Sequence, residues 1–325
     1  MKKNLLCIAL LLFWGMAVQA IDIRLGHVGA PASPQQSIAN LFKQKVEAKT
    51  NGAVTITIFD SGTLGNERNL QEGVRSGTVD MTIGGTFSHV LPWAGILETP
   101  MLYRNLDHFV SVFAGKIGDD IAAAFEKAIN VHPIFIVPHG GFRYITTKGV
   151  AVRKPDDLKG LKIRNPNVPA YNIMANAAGA VPVPLDFSEL YLALDRGVVQ
   201  GQHNPTGNIV GAKLYEVQDN LSMVPWGIAP HVVCISNRVW TRLTPEQQKA
   251  VREAGLETAK EYPAIAIQEE KEQLDFMADK LTIIRPEEID IPAFVKLLTD
   301  AGLDELKKEY APEAIAIVEA IIAAK

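Results

Sequence analysis

Two hydrophobic periods alternate along most of the chain. Ile23–Val28 reads as a strand, and over Val54–Phe59 apolar residues fall on every second position, the pattern of a half-buried strand. Between these runs Ile38, Leu41, Phe42 and Val46 recur at helical spacing. Ser33-Pro34 gives that helix an N-cap and a proline at its first position, and Asn51-Gly52 stops it. A short helix over Asn66–Arg75 leads into VDMTIGG (Val79–Gly85), a buried strand ending in Gly84-Gly85. Strand–helix–strand units of this length predict an open α/β sheet.

The run VHPIFIVPHGG (Val131–Gly141) begins another strand, and RYITT (Arg143–Thr147) is where the chain leaves the first sheet for a second. Lys162–Arg164, Val181–Val183 and Val198–His203 are strands of that second unit, with helices between, and His231–Ser236 returns to the first. Thr244-Pro245-Glu246-Gln247 is a capping box with proline at N1. It opens a helical pattern running to about Lys280, long enough to brace two lobes from outside. Two amphipathic helices finish the chain, and the apolar last one, Pro312–Lys325, is expected to pack on the protein's own body, with a dimer contact as the alternative.

The expected architecture is therefore a two-lobed α/β fold. Residues 21–141 with about 230–270 form one lobe, 142–229 with about 271–300 the other, and the helices of 301–325 pack on them. No internal repeat or low-complexity linker is present, so crossing strands join the lobes as a hinge.

The first twenty residues, MKKNLLCIALLLFWGMAVQA, break the alternation. A basic start, an apolar run from Leu5 to about Val18 and small residues before Ala20 predict an export signal cleaved after Ala20. The apolar run is shorter than the roughly 20 residues that span a bilayer, so the mature chain is expected to be exported without insertion in the membrane. Cys7 leaves with the signal. Cys234, in the apolar run HVVCIS, then stands alone as a buried core thiol, and no intramolecular disulfide is possible.

A composition of 47% hydrophobic and 21% charged residues excludes a disordered, coiled-coil or polytopic membrane chain. Lys+Arg 32 against Asp+Glu 36 gives a net charge of −4; without Lys2 and Lys3 the 30 basic and 36 acidic residues leave −6. A mildly acidic chain with no basic stripe does not suit nucleic acid or an anionic membrane surface. There is no Gly-x-Ser-x-Gly elbow, Walker loop, dinucleotide fingerprint, HExxH or CxxC, and the seven histidines are scattered. No catalytic residue, metal or cofactor is expected.

Three arginines lie beside strand or turn signals inside apolar sequence: Arg104, Arg143 and Arg164. Arg164 ends GLKIR and precedes Asn165-Pro166-Asn167, where proline terminates the strand. At the carboxyl end of an α/β strand an arginine points into the crevice where such folds bind ligands, and its planar fork matches a carboxylate. An ion pair with a neighbouring Asp or Glu is the alternative. Asn204, in VVQGQHNP, is either a polar ligand contact or a turn cap before Pro205. Phe187 is either core or a lid over a ligand, and Trp226, in MVPWGIAPH, raises the same alternative.

The stretch DDLKGLKIRNPNVPAYNIMANAAGAVPVPLDFSELYLALDRGVVQGQHNP resembles the signature region of the solute-binding proteins of TRAP (tripartite ATP-independent periplasmic) transporters, the DctP family. SGTLGNER, VDMTIGG, GFRYITT and KLYEVQ extend the resemblance over nearly the whole mature chain. It implies a periplasmic binding protein fold that closes on one small organic acid and delivers it to membrane permease subunits driven by an ion gradient. It places Arg164 where the family pairs an arginine with the ligand carboxylate and Asn204 where an amide supports that carboxylate. Arg143, Asn167 and Phe187 match further pocket positions, and Glu67 falls in the LGNER turn where members place a ligand-contacting polar residue. Sialic-acid-binding members carry Glu where this chain has Gly84-Gly85, and His where it has Trp226, so sialic acid is not the expected solute.

Two cationic groups in a cleft make unliganded closure costly, because each desolvated guanidinium lacks a partner that a carboxylate then supplies. His27, Glu67, Asn167 and Trp226 are expected to read hydroxyls or a second acidic group. A hydroxylated monocarboxylate such as a sugar acid is the expected solute, with a C4-dicarboxylate or 2-oxo acid as alternatives. A secreted α/β enzyme and a binding protein that feeds only a signalling receptor are the alternatives in other classes.

Overall fold

The computed structural model describes residues 20–324, so the expected export signal, apart from Ala20, lies outside the described residues. Among the described residues, eleven strands form two sheets: β1 (Ile21–Gly26), β2 (Val54–Phe59), β3 (Met81–Gly84), β4 (Val131–Pro138), β5 (Arg143–Thr147), β6 (Lys162–Asn165), β7 (Val181–Pro184), β8 (Gly201–Asn204), β9 (Asn220–Gly227), β10 (Pro230–Ser236) and β11 (Thr282–Ile284). The first sheet runs β2-β1-β3-β10-β4 and the second β11-β9-β5-β8-β6-β7. In the first, β1 is parallel to β2 and β3, while β10 is antiparallel to both of its neighbours. In the second, β6 is parallel to β7 and β8, and β5 is antiparallel to β8 and β9. This is the two-lobed α/β architecture expected of the sequence.

The strand signals held because they mark burial on the faces that these positions share. All seven residues of β10 and all five of β5 are buried, as central strands of their sheets. Cys234, on β10, is a free thiol with no exposed surface, and burial pushes its pKa up. The chain passes between sheets by two short crossings, after β4 and after β9, and a third time through the long helix that joins β10 to β11. The two short crossings are tied where His139 N donates to Ala229 O at 2.9 Å. Gly140 in the first crossing has φ +73°, and a Cβ there would meet Pro34 and Pro205 at 3.0 and 3.1 Å, so only glycine fits the bend.

The helix Pro245–Met277 starts as the capping box dictates. Thr244 Oγ1 accepts from Gln247 N, and Gln247 Oε1 accepts from Thr244 N at 2.9 Å. Its early residues Val251, Ala254, Tyr262 and Ala266 enter the core beside the first sheet, with Phe42 and Val233. Leu274 and Met277 enter a different core with Leu190, Leu194 and Leu221 beside the second. Between those ends, Glu269 Oε1 accepts from Ser37 Oγ (2.6 Å), Glu270 Oε1 from the Tyr144 hydroxyl (2.9 Å) and Gln273 Oε1 from Thr206 Oγ1 (2.6 Å). One helix thereby spans both units.

Several elements departed from the expected pattern. β9 was not foreseen because NLSMVPWG contains Pro225 and no clean alternation; its pairing with β5, through a register shift, makes it a strand. β11 begins near the expected end of the long helix, which stops at Met277. The strand expected over Val198–His203 instead covers Gly201–Asn204, since Val198 still closes the turn after the preceding helix by bonding Ala193 O. Helices Leu106–Phe113 and Lys116–Ile129 also went unread.

The last helix, Pro312–Ala323, buries Ala314, Ile315, Val318 and Ile321 against the protein's own body. Arg104, singled out in the sequence, lies exposed there and donates to Ala324 O at 2.8 Å. Among the described residues no helix is long and apolar enough to cross a membrane.

Candidate functional site

Arg164 is carried by β6, whose register between β7 and β8 delivers its side chain to a cavity of about 460 Å³ walled from both sheets. That volume lies within the ordinary range for small-molecule sites. The guanidinium is buried; its Nε donates to Leu185 O at 2.9 Å, and its terminal nitrogens have no acceptor among the described residues. The Phe187 ring lies 6.0 Å from its carbon, placing that phenyl beside the cation. Burial, and then the charge of Arg143, push the pKa of Arg164 down to about 9, which leaves it cationic at neutral pH.

Arg143 opens β5 and is held from one side. Its Nε donates to His203 Nδ1 (2.9 Å), and one terminal nitrogen donates to His203 O (2.7 Å) and Asn204 Oδ1 (3.0 Å). Since His203 Nδ1 accepts, Nε2 carries the hydrogen and donates to Asn165 Oδ1 at 3.0 Å. Burial, with Arg143 and Arg164 beside it, holds the His203 pKa well below its usual value, so the ring is neutral. Asn204 is fixed at both ends of its amide, with Oδ1 on Arg143 and Nδ2 on Gln202 Oε1. Gln202 in turn donates to Thr146 Oγ1, and Thr146 to Gln218. This buried relay fixes the orientation of the Arg143 fork.

The opposite wall is acidic. Glu67, in the first turn of the helix Glu67–Ser76, accepts from Gly85 N at 2.7 Å. Glu98 accepts from Thr86 N (3.2 Å) and Thr86 Oγ1 (2.8 Å). A Cβ on Gly85 would lie 2.9 Å from the Glu67 oxygen and 3.1 Å from that of Glu98. Gly85 is thus flanked by two carboxyls from elsewhere in the chain. Burial raises the pKa of both. Asp186 joins the rim, accepting from Asn66 Nδ2 at 3.0 Å and Asn167 Nδ2 at 3.2 Å.

Six of the eight expected residues therefore line one cavity: Arg164, Arg143, Asn204, Asn167, Phe187 and Glu67. His27 and Trp226 do not. His27 follows β1 with no exposed surface and pairs Nε2 with Gln36 Oε1 at 3.1 Å, while its neighbour Val28 reaches the cavity. Trp226 packs into the core with its ring 6.0 Å from that of His203 and edge-on to Phe294. Sequence reasoning missed Glu98 and Asp186. A charge inside the apolar run WAGILETPML was the available signal for Glu98; Asp186 carried none. The lining continues along the crossing strands through His139 and His231.

Residues 25–304 match the DctP family, described as bacterial extracellular solute-binding protein, family 7. A solute-binding protein of Roseobacter denitrificans is 31% identical over 94% of this chain and 93% of its own length. The 2,3-diketo-L-gulonate-binding periplasmic protein YiaO of Escherichia coli is 29% identical over 94% of this chain and 92% of its own. Among solved structures, a TRAP periplasmic solute-binding protein of Roseobacter denitrificans with bound L-galactonate superposes with TM-score 0.83 at 29% identity, covering 94% of this chain and 99% of that one. A TRAP periplasmic solute-binding protein of Polaromonas bound to D-erythronate gives 0.86 at 26% identity, with the same coverage.

Proposed function

The chain belongs to the DctP family of bacterial extracellular solute-binding proteins, and we propose that its solute is a hydroxylated monocarboxylate held by Arg164 and Arg143. It is a TRAP-type binding protein and not an enzyme. The observation that carries the reading of its solute is the pair of buried guanidinium groups facing one cavity, neither ion-paired among the described residues. A buried cation that carboxyls such as Glu67 and Asp186 face without pairing directly is costly, and a ligand carboxylate offers a two-oxygen partner that reduces the cost. Asn204 positions Arg143, Phe187 and Asn167 flank the carboxylate end, and Glu67 and Glu98 accept from hydroxyls beyond it. L-galactonate, D-erythronate and 2,3-diketo-L-gulonate, the solutes of the three relatives, each join one carboxylate to a hydroxylated chain.

The loaded protein then delivers the acid to TRAP permease subunits from the periplasm. Capture by two units joined through crossing strands is the hinge closure seen in periplasmic binding proteins. The test is thermal melting of the chain from Ile21 onward with aldonates, uronates, C4-dicarboxylates and 2-oxo acids. A specific acid at about 100 times its Kd adds roughly 2.7 kcal/mol and raises Tm by a few degrees. No shift with any acid, after refolding to strip carried-over ligand, overturns the reading.

A further inference from the structure

Along the crossing strands the cavity carries polar groups that the carboxylate reading does not use. β4 and β10 pair antiparallel with Val137 opposite His231, so His139, two residues on from Val137, falls on the same side of the sheet. The His139 and His231 rings stack with centroids 3.7 Å apart and planes 14° from parallel. Gln35, in the first turn of the helix Pro34–Lys49, and Asn208, in the helix Thr206–Gly211, line the cavity with them. All four side chains are more than nine-tenths buried. Nδ1 of His231 and Oε1 of Gln35 have no hydrogen-bond partner among the described residues, and the His139 ring and Asn208 Oδ1 have none beyond their approach to each other. Buried polar atoms in folded proteins are nearly always partnered, so a cluster of orphans lining a binding cavity points to a ligand that completes it.

The chemistry of the cluster narrows that ligand. A neutral imidazole offers one donor and one acceptor, and an amide offers both. Burial drives the His139 pKa well below its usual value and that of His231 down to about 3, so neither ring becomes a cation near neutral pH. A hydroxyl, which donates and accepts, matches such a set; a carboxylate, which only accepts, leaves the amide oxygens facing its own.

We propose that His139, His231, Asn208 and Gln35 form a distal subsite that holds the hydroxyl-bearing end of the solute and rejects an acid with a carboxylate at both ends. The proposal rests on the reading of Arg164 and Arg143 as the carboxylate end of the same cavity, and it adds the length and terminal group of the solute.

Calorimetric titration with galactonate, its dicarboxylate counterpart galactarate and the three-carbon glycerate tests it. Galactonate should bind at least tenfold more tightly than galactarate. His231→Phe, which keeps the stacked ring and removes its nitrogens, should weaken galactonate about tenfold and glycerate by no more than about twofold. Asn208→Leu, similar in volume, should do the same and keeps the test readable if the histidine variant does not fold. Galactarate binding as tightly as galactonate overturns the subsite, as do variants that weaken the long and short acids by equal factors. Binding of these acids that survives Arg164→Ala undiminished, or no binding of any acid to the parent chain, removes the functional reading on which the subsite rests.

Discussion

Asn66 and Asp186 stand 3.0 Å apart across the cavity, although 120 positions separate them in the chain. Asn66 precedes β3 of the first sheet and Asp186 follows β7 of the second, so this bond links the two units at the rim. The amide of Asn66 serves twice. Its oxygen caps the helix Glu67–Ser76 by accepting from Asn69 N at 2.9 Å, which turns its nitrogen toward Asp186.

Removing that link should loosen the liganded state while both arginines keep their hydrogen bonds. Asp186→Ala is expected to cost about 1 kcal/mol of closure, roughly fivefold in Kd, mostly as faster ligand release. Stopped-flow dissociation of a bound acid measures it, and an unchanged off-rate would show that the bond does not hold the cavity shut.

Arg164→Ala should lower affinity for a monocarboxylate by about 10- to 150-fold, the equivalent of roughly 1.5–3 kcal/mol for a charge-assisted pair. The unliganded protein should melt close to the parent temperature, because relief of a desolvated guanidinium is offset by the loss of its attraction for Glu67 and Asp186. Calorimetry and melting on the same variant separate the two effects. Near-parent affinity would remove Arg164 from the site.

Gly85→Ala forces a Cβ to within 2.9 Å of the Glu67 oxygen and 3.1 Å of the Glu98 oxygen. Crowding of this kind costs on the order of 1–3 kcal/mol, so Tm should fall by several degrees and acid binding should weaken with it. A melting curve that overlays the parent's would show that the two carboxyls move aside freely.

The buried histidines set a pH dependence of definite sign. The folded pKa of His231 is near 3, while the unfolded ring takes up a proton below about 6.5. As pH falls through that window the unfolded state gains a proton that the folded state refuses, so stability present above pH 6.5 is lost on acidification. At pH 5.5 the loss from this one ring is about 1.4 kcal/mol. Glu67 and Glu98, raised by burial, act in the opposite direction as they take up protons, so the comparison must be differential. Between pH 7.5 and 5.5 the parent should lose more Tm than His231→Phe; equal losses would mean that His231 titrates normally in the folded chain.

The sequence by itself determined the alternation of strands and helices over much of both units, the capping of the helices at Ser33 and Thr244 and the placement of Arg164 before a proline that stops its strand. These follow from local rules: periodicity, capping and the missing N–H of proline act within a few residues and need no partner. Tertiary structure alone decided which alternating face of each strand meets the cavity. Period two separates inside from outside but does not say which inside is a core and which a cleft. Trp226, within β9, therefore went to the core and His27, just after β1, was buried away from the cavity. It also decided the long-range pairs: Glu67 and Glu98 about Gly85, Asp186 against Asn66, and His139 stacked on His231. No local signal encodes these, because each depends on sheet register and on two chain crossings that bring distant segments to one cavity.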